Sequence, residues 1–527
     1  MVTVSFSLQE EYWEDFQLQD TDIEYLYNYL LETETPLTPR ELVEILVRER
    51  IRQEKIAIDQ QRSAGGDVYL PKNSFEIKQK LVFPSQSWRH GQVIDIRTGH
   101  NPDVGEISVI KVEFEDGDVR EFASGLEEHA LNDPLEVEEI DETLDPQYIL
   151  DYYGDLLVTR LEEDLKAHED FVPIAGRWFP RALLVDINVG HLNLAEAVLD
   201  MAGGGPLPTE SLINQIELTY DVNQKLLEFS LDLALQEDER FDEVGPAGEV
   251  LWFLKRLEPV EVLEPPIFLR YPEIDYDRSV LTEDMLSLEQ ELDDELSPID
   301  MSYEFLDEVE VCLIFPHLRA GTLPLSARTR HLFPTAYEAP RIRITIVDEM
   351  AGEKFQAWVV RNKRYIYGLK EWYESREFLP GSTLRVRRGG NPGEVIVNGG
   401  AHRSNREWIK TVLVGSDGGV VFAMLKQIIH SEIDDRMGIA VPDMDTVDSI
   451  WKRMGKEQPP FERVVVNMVK ELAKLNPQGH VHASELYSAV NVVRRCPPGP
   501  ILALLASRPW FSHVGDLHYR YTDSDSN

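Results

Sequence analysis

The residues of this chain best suited to a chemical task are arginines and lysines that cluster within residues 318–412. This region holds seventeen Lys and Arg against nine Asp and Glu, a net charge of +8. Guanidinium and ammonium groups contact phosphates, and arginine can also read guanine edges. The cations that we predict to contact nucleic acid, in this region and near the C-terminus, are Arg328, Arg330, Arg361, Lys363, Arg364, Arg385, Arg387, Arg388, Arg494 and Arg495.

Aromatic residues and the overall charge give this cluster two competing interpretations. Trp358, Tyr365 and Tyr367 lie among the cations, and their rings could stack on bases. The whole chain carries a net charge of −43, however, so the residues outside 318–412 carry −51. Such a negative excess repels nucleic acid and can instead pair with the basic region. The sequence leaves both interpretations open.

The negative charge is concentrated in particular segments. Residues 1–34 contain nine acidic residues and no Lys or Arg, and residues 271–310 contain fifteen acidic residues and the single Arg278. Blocks of one charge are typical of solvated faces and flexible tethers. We therefore predict an acidic linker over 263–310 and an acidic helical connector over 126–185.

Motifs for catalysis are absent from the sequence. It contains no Gly-x-Ser-x-Gly, no His-Glu-x-x-His and no kinase signature. Asp348, Glu349 and Glu353 followed by Lys354 are similar to the carboxylate cluster of a nuclease, but they lack the Glu-x-Lys strand arrangement and fit a hairpin turn. We predict no enzymatic activity and no cofactor.

Histidines and cysteines also give no metal motif. His480 and His482 have no cysteine nearby and no acidic residue at ligand spacing, so a capping or surface role is predicted. Cys312 and Cys496 are far apart in sequence and form no disulfide framework. The N-terminus is acidic and has no apolar leader, and no apolar run is long enough to cross a bilayer. We therefore expect a cytoplasmic protein without a membrane partner.

The elements that would position these residues include a hairpin phrase that occurs twice. Residues 240–245 read RFDEVG and are followed by LWFL at 251–254; residues 510–515 read WFSHVG and are followed by HYRY at 518–521. The glycine permits a positive φ, and the aromatic runs favour strands. Each phrase follows helical segments, and helices followed by a hairpin indicate a winged helix.

The C-terminal copy resembles the HARE-HTH class of winged helices, which occurs in chromatin proteins, restriction systems and the acidic delta subunit of bacterial RNA polymerase. The resemblance rests on the Phe-x-x-Val-Gly phrase and the aromatic wing. It implies binding to DNA or to protein, but the third helix, 499–506, is almost entirely apolar. A helix that reads the major groove is polar and basic. We therefore predict protein contacts for the middle copy and leave DNA backbone and protein open for the C-terminal copy.

Two regions show the short alternating strands of β structure. Residues 75–124 suggest a small barrel and resemble the Tudor and KOW kind. Within 311–412, the phrase RIRITIV at 341–347 places isoleucines on one face and arginines on the other. The segments LPLSARTRHLFP and PGSTLRVRR are similar to the DNA-binding pseudobarrel of plant transcription factors and restriction-enzyme effector domains, with Ser382 where an acidic residue is usual.

We therefore predict an α+β multidomain protein with winged-helix modules, a small β barrel and a larger β-rich, pseudobarrel-like domain. The predicted segments are a helical winged-helix-like module (1–62), the small barrel (70–125), the acidic helical connector (126–185), a winged helix (186–262), the acidic linker (263–310), the basic β-rich domain (311–412), a helical connector (413–460) and a C-terminal winged helix (461–523).

The function that this organisation favours is a DNA-binding or transcription-associated protein. In this interpretation the basic β domain contacts double-stranded DNA, and the acidic winged-helix modules contact protein partners. Two alternatives stay open: a pure protein-interaction scaffold without DNA binding, and a divergent nuclease or defence-system component.

Overall fold

The computed structural model describes residues 10–63, 66–83, 86, 89–101, 105–115, 117–127, 129–132, 145–298, 305–400, 405–415 and 418–522. Parts of the predicted connector and linker, 133–144 and 299–304, lie outside these residues. The described chain has a mixed α/β fold with several separate sheets. It divides into two compact units, one within 1–185 and 222–229, the other within 186–221 and 230–527. No helix in the described ranges is long and apolar enough to cross a membrane.

The first unit contains four helices and seven strands in its described N-terminal part. They are α1 (Glu10–Glu14), α2 (Asp20–Thr33), α3 (Pro39–Ser63), β1 (Asp67–Val68), β2 (Lys80–Phe83), β3 (Arg89–Asn101), β4 (Gly105–Phe114), β5 (Val119–Ser124), α4 (Pro146–Ala167), β6 (Phe171–Ile174) and β7 (Arg177–Pro180). Strands β1 to β5 form one sheet in chain order around an aromatic core that includes Tyr69, Phe83 and Phe114.

Local capping chemistry explains where the long helices of this unit begin. The Glu41 carboxylate accepts from the Thr38 backbone N–H at 2.7 Å, and the Thr38 hydroxyl accepts from the Glu41 N–H at 3.3 Å. This is a capping box in front of α3, with Pro39 at the first helical position. Leu37, just before α3, forms a bridge to Trp178 of the β6–β7 hairpin. The first helix pair therefore has its own hairpin, and the five-stranded sheet is inserted between α3 and α4.

The second unit begins with a similar order of elements. In chain order, from Val189 to Ala320, the elements are α5 (Val189–Met201), β8 (Leu207–Pro208), α6 (Thr209–Gln215), α7 (Gln224–Gln236), β9 (Phe241–Glu243), β10 (Leu251–Leu254), α8 (Val260–Leu263), α9 (Glu283–Leu292), β11 (Glu308–Cys312) and α10 (Phe315–Ala320). Strand β10 lies between β8 and β9 in a three-stranded sheet. Trp252 of β10 is buried and donates to Asp232 at 2.8 Å, which ties this hairpin to the helix before it.

The remaining elements follow in chain order. They are β12 (Thr322–Pro324), β13 (Arg341–Asp348), β14 (Lys354–Val360), β15 (Tyr365–Tyr367), α11 (Lys370–Ser375), β16 (Thr383–Arg388), β17 (Glu394–Asn398), β18 (Asn405–Val414), β19 (Val420–Ile429), β20 (Ile439–Ala440), α12 (Met444–Glu457), α13 (Phe461–Ala473), β21 (His480–His482), α14 (Ala483–Val493), α15 (Pro498–Ser507), β22 (Phe511–Gly515) and β23 (His518–Tyr521). The last three strands form a sheet in the order β21-β23-β22, which repeats the β8-β10-β9 arrangement.

A curled seven-stranded half-barrel forms most of the predicted basic β domain. Its strand order is β11-β16-β17-β13-β14-β15-β12. The predicted alternation along β13 is confirmed, because Ile342, Ile344 and Ile346 are buried while the residues between them are partly exposed. The turn after β13 is the predicted hairpin turn: the Asp348 carboxylate accepts from the backbone of Met350 at 2.9 Å.

Two segments differ from the predicted connector and linker. Within 413–460, strand β19 pairs with β18 over ten residues, so this stretch is not only helical. Within 263–310, helix α9 packs Met285 and Leu288 into the core, and Asp294 and Glu295 after it are buried. This described part of the acidic stretch is therefore folded into the second unit, and Arg495, distant in sequence, pairs with both buried carboxylates.

Candidate functional site

Several of the predicted nucleic-acid-binding cations bind backbone carbonyls of their own chain. The Arg361 guanidinium donates to Ala336 O at 2.6 Å and Ala339 O at 3.1 Å. Arg364 donates to Glu295 O at 3.0 Å, and Arg388 donates through Nε to His331 O at 2.9 Å. These side chains hold loops against the half-barrel.

Other predicted cations lie beside acidic groups. Arg387 pairs with Glu349 at 2.6 Å, and Arg385 lies 3.7 Å from Glu310 and 3.9 Å from Glu432. The backbone N–H of Arg328 donates to Asp293 at 3.3 Å. Burial raises the pKa of Asp293 to about 6, although the Ser326 hydroxyl and the nearby Arg328 act in the opposite direction.

Arg330 and Lys363 are the two remaining predicted cations of residues 318–412. Arg330 is partly exposed and Lys363 is exposed. Among the described residues, Lys363 makes no ion pair. Most members of the predicted cluster therefore have partners within the chain, and Lys363, Arg385 and Arg387 keep exposed side chains.

The two C-terminal arginines have different environments. Arg494 donates to Pro459 O at 3.2 Å and lies over the Phe461 ring at 5.7 Å. Arg495 is fully buried and cannot contact a phosphate, which corrects its prediction. Its guanidinium binds Asp294 at 2.8 and 2.6 Å and Glu295 at 2.7 Å.

This buried ion cluster continues to His317 and Tyr487. The His317 Nε2 atom lies 3.0 Å from Glu295, and the Tyr487 hydroxyl donates to Asp294. Burial alone raises the pKa of Glu295, but the Arg495 guanidinium, with His317, holds that pKa well below its usual range. The cluster therefore anchors the acidic segment as a paired, ionised group.

The aromatic residues of the basic region are also engaged internally. Trp358 and Tyr365 are buried, and the Tyr365 hydroxyl donates to Glu261 O at 2.6 Å. Trp358 makes an edge contact with Phe253 at 5.3 Å between centroids, and Arg343 lies over both rings. Tyr367 is only partly buried. Trp358 and Tyr365 are therefore not placed to stack on bases.

The second unit instead contains an acidic groove of about 690 Å³. It lies between the end of α9, strand β11, the start of β18, the 431–437 loop and the start of α14. Six carboxylates line this acidic groove, from Glu291, Glu310, Glu407, Glu432, Asp434 and Asp435. The cation among its lining residues is Arg436. A concave surface lined by one sign of charge concentrates groups of opposite charge.

These carboxylates differ in whether they hold the local fold together. Asp434 accepts from the backbone N–H groups of Arg436 and Met437 and fixes the turn. In contrast, Asp435 and Glu291 are exposed, and neither makes an ion pair within the described ranges of the chain. Glu432 is exposed, and among the described residues its one ion-pair partner is Arg385, at 3.9 Å.

A side cavity of about 340 Å³ adjoins the acidic groove, and Glu407, Ile433 and Asp435 line both spaces. Its apolar wall is formed by Trp408 and Met424 of the β18–β19 hairpin and by residues that end α13 or follow it, namely Leu472, Leu475 and Pro477. Trp408 is 63% exposed, although Lys426 lies 5.5 Å above its ring.

A histidine cluster lies at the other border of the groove. His482, Asp516 and His518 place three ligand atoms within 4.8 Å of one another. Arg436 donates to His482 Nε2 at 2.9 Å and to Asp516 at 3.2 Å, so a guanidinium already binds this acceptor set. Burial and the Arg436 charge lower the pKa of His482 to about 4. His482 Nδ1 accepts from the Ser484 N–H, which confirms its predicted capping role.

The sequence analysis predicted neither the acidic groove nor the side cavity. The local signal was the phrase EIDDR at 432–436, directly after an apolar strand. Glu291 and Glu310 come from the segment that was interpreted as a linker, and only the folded chain brings them to the same opening.

Comparison of the chain with protein-family models, with curated proteins and with solved structures gives no match in any of the three. Functional inference for this protein rests on the geometry of its described residues.

Proposed function

We propose that this protein is a non-enzymatic protein-interaction scaffold whose acidic groove binds a basic segment of a partner protein. The observation that carries the proposal is the contrast between two surfaces. The predicted basic cluster is largely engaged by the chain's own carbonyls and carboxylates, whereas the acidic groove is open and presents exposed carboxylates at Glu291, Glu432 and Asp435. This contrast favours a basic ligand over a nucleic acid.

We further propose that three modules of the chain are winged helices, of the HARE-HTH class in the C-terminal copy. The proposal is supported by the repeated order of helix, short strand or bridge, two helices and hairpin. Helix α15, the third helix of the last module, is buried from Pro498 to Leu505 and has no basic face. Because a DNA-reading helix must expose polar side chains, these modules fit protein contacts better. The curled sheet supports a pseudobarrel interpretation of 318–412 in the same way.

The proposal is tested by comparing two ligands on the full chain over a salt series. One ligand is a fluorescent twelve-residue peptide in which leucine and lysine alternate. The other is a duplex DNA of random sequence that carries a similar fluorescent label. We expect the peptide to bind, with affinity that falls as salt rises, and the DNA to show no saturable binding at about 50 mM salt, where phosphate contacts are strong.

The opposite result would refute the proposal. Saturable DNA binding with a steep salt slope, together with no binding of the peptide, would restore the interpretation in which the basic β domain contacts nucleic acid. An acidic peptide of the same length and apolar content is the matched control, and it should not bind.

A further inference from the structure

Strand β19 forms the outer edge of its sheet. The order of that sheet is β19-β18-β20, so β18 covers one side of β19, and no strand in the described part of the chain pairs with the other side. The pairing with β18 runs without a register shift from Asn405↔Ile429 to Val414↔Val420. An unpaired edge of this kind presents a row of backbone N–H and C=O groups that can accept another strand.

The composition of β19 leaves this edge unprotected. Its sequence is VVFAMLKQII, which contains no proline and one charged residue, Lys426. Proteins usually block an exposed edge with charges, prolines or bulges, and β19 has a single lysine. Met424, Leu425 and Ile428 are each more than a third exposed, so apolar side chains are available on both faces of the strand.

The edge also leads directly into the acidic groove. The loop that follows β19, residues 431–437, forms one wall of the groove and contributes Glu432, Asp434 and Asp435. Trp408 lies opposite Lys426 in the hairpin register, beside the side cavity. A segment added along β19 would therefore extend past Ile429 into a negatively charged space.

We propose that the edge of β19 binds an extended segment of a partner protein by strand addition, and that lysines or arginines at one end of this segment bind in the acidic groove. This inference rests on the proposed function, because it assigns the binding mode of the same basic ligand. In strand addition, backbone hydrogen bonds provide affinity and alternate side chains provide specificity. Apolar residues of the segment pack against Met424 and Ile428, and its basic end pairs with Glu432 and Asp435.

Charge argues against a second copy of this chain as the occupant. The net charge of −43 gives two copies of the chain a mutual repulsion that disfavours self-association. A basic partner segment instead neutralises the groove. Self-association remains a measurable outcome, which sedimentation of the full chain would detect.

The test uses the full chain and the leucine–lysine peptide in three forms: unmodified, N-methylated at every second residue, and N-methylated at the intervening residues. N-methylation removes a backbone donor and keeps the charge. In an added strand, the backbone N–H groups of alternate residues point towards β19. We therefore expect one methylated form to lose about tenfold or more in affinity, which is the equivalent of one or two backbone hydrogen bonds. The other methylated form should bind with nearly the affinity of the unmodified peptide.

Two protein variants complete the experiment. Ile428→Lys adds a charge to the edge strand and should weaken peptide binding. The matched control is Leu413→Lys, which replaces an apolar side chain of similar exposure, 42% against 49%, on the inner strand β18 and should leave binding unchanged. Hydrogen exchange of amides in β19 should slow on binding the peptide and should not slow with the weakly binding methylated form.

The outcomes separate this inference from the proposed function. If both methylated peptides bind as well as the unmodified one, strand addition is wrong while groove binding stands. If none of the peptides binds, the proposed function itself fails. If the chain sediments as a dimer that Ile428→Lys dissociates, the occupant of the edge is a second copy and the inference is overturned.

Discussion

Replacing Arg495 with methionine is expected to destabilise the second unit by about 3–5 kcal/mol, because it leaves buried carboxylates without their counter-charge. The Arg495 side chain is 0% exposed and makes three charge-assisted hydrogen bonds of 2.6 to 2.8 Å to Asp294 and Glu295. Those two acids are themselves buried, at 5% and 4% exposure. Methionine fills most of the volume of the arginine side chain, so the loss of stability comes mainly from the loss of the positive charge.

The neighbouring arginine is the matched control. Arg494 binds one carbonyl at 3.2 Å and the face of one ring, so Arg494→Met is expected to cost about 1 kcal/mol or less. Native-state hydrogen exchange of amides in α14 measures both changes without assuming that the whole chain unfolds in one step. Equal effects of the two substitutions would refute the reasoning.

The pH dependence of the same variant provides a second readout. In the native chain, the pKa of Glu295 is held below its unfolded value of about 4.3, so the stabilisation is present above that pH and is lost as pH falls through the folded pKa. Without Arg495, burial dominates and raises the pKa of Glu295. The methionine variant should therefore become more stable, relative to its own value at pH 7, as pH falls towards 5. An unchanged pH profile would contradict this account.

Two further predictions concern buried titratable groups. Burial, with a contribution from Glu338, raises the pKa of Glu243 to about 8, so its contribution to stability is complete below about pH 4.3 and is lost as pH rises towards 8. Glu243→Gln should make the melting temperature of the second unit less dependent on pH between pH 5 and 8.5. An unaltered pH dependence of the melting temperature would contradict the raised pKa of Glu243. Burial also raises the pKa of the Cys312 and Cys496 thiols well above their usual range. Cys496 is fully buried, so it should not react with a thiol reagent at pH 8 until urea unfolds the chain. Rapid labelling of Cys496 in the native protein would contradict that expectation.

Local chemistry made several elements predictable from the sequence. The alternation along β13 identified its buried face. The two Val-Gly phrases marked the hairpins β9–β10 and β22–β23. These features depend on residues within a few positions of one another, where sequence patterns are most informative.

The sequence pattern of a third hairpin, β6–β7, is weaker. Its strands carry Pro173 and end in a tight turn in which Ala175 and Gly176 both have positive φ. Proline within a run argues against a strand interior, and the acidic composition of 126–185 predicted a helical connector there. The Ala-Gly pair between two apolar runs was the clue that could have identified this hairpin.

The candidate site depends on pairings that no local pattern contains. Arg495 meets Asp294 across 201 positions of sequence, and Arg364 meets the Glu295 carbonyl across 69. A count of charges places these residues in an acidic segment and a basic segment, but it cannot show which of them neutralise each other. The acidic groove is formed by carboxylates that stay exposed in the folded chain, and the sequence alone does not show which ones these are.

The most direct test of the central claim is the affinity of the leucine–lysine peptide for a groove variant of the full chain. Glu432→Gln with Asp435→Asn removes two exposed groove charges, and the control, Glu353→Gln with Glu371→Gln, removes two exposed charges elsewhere in the second unit. We expect the groove variant to bind about five- to thirtyfold more weakly at low salt, at about 0.5–1 kcal/mol per exposed charge, and the control to bind as the native chain does. Equal affinity of the two variants for the peptide would contradict the claim that the acidic groove is the binding site.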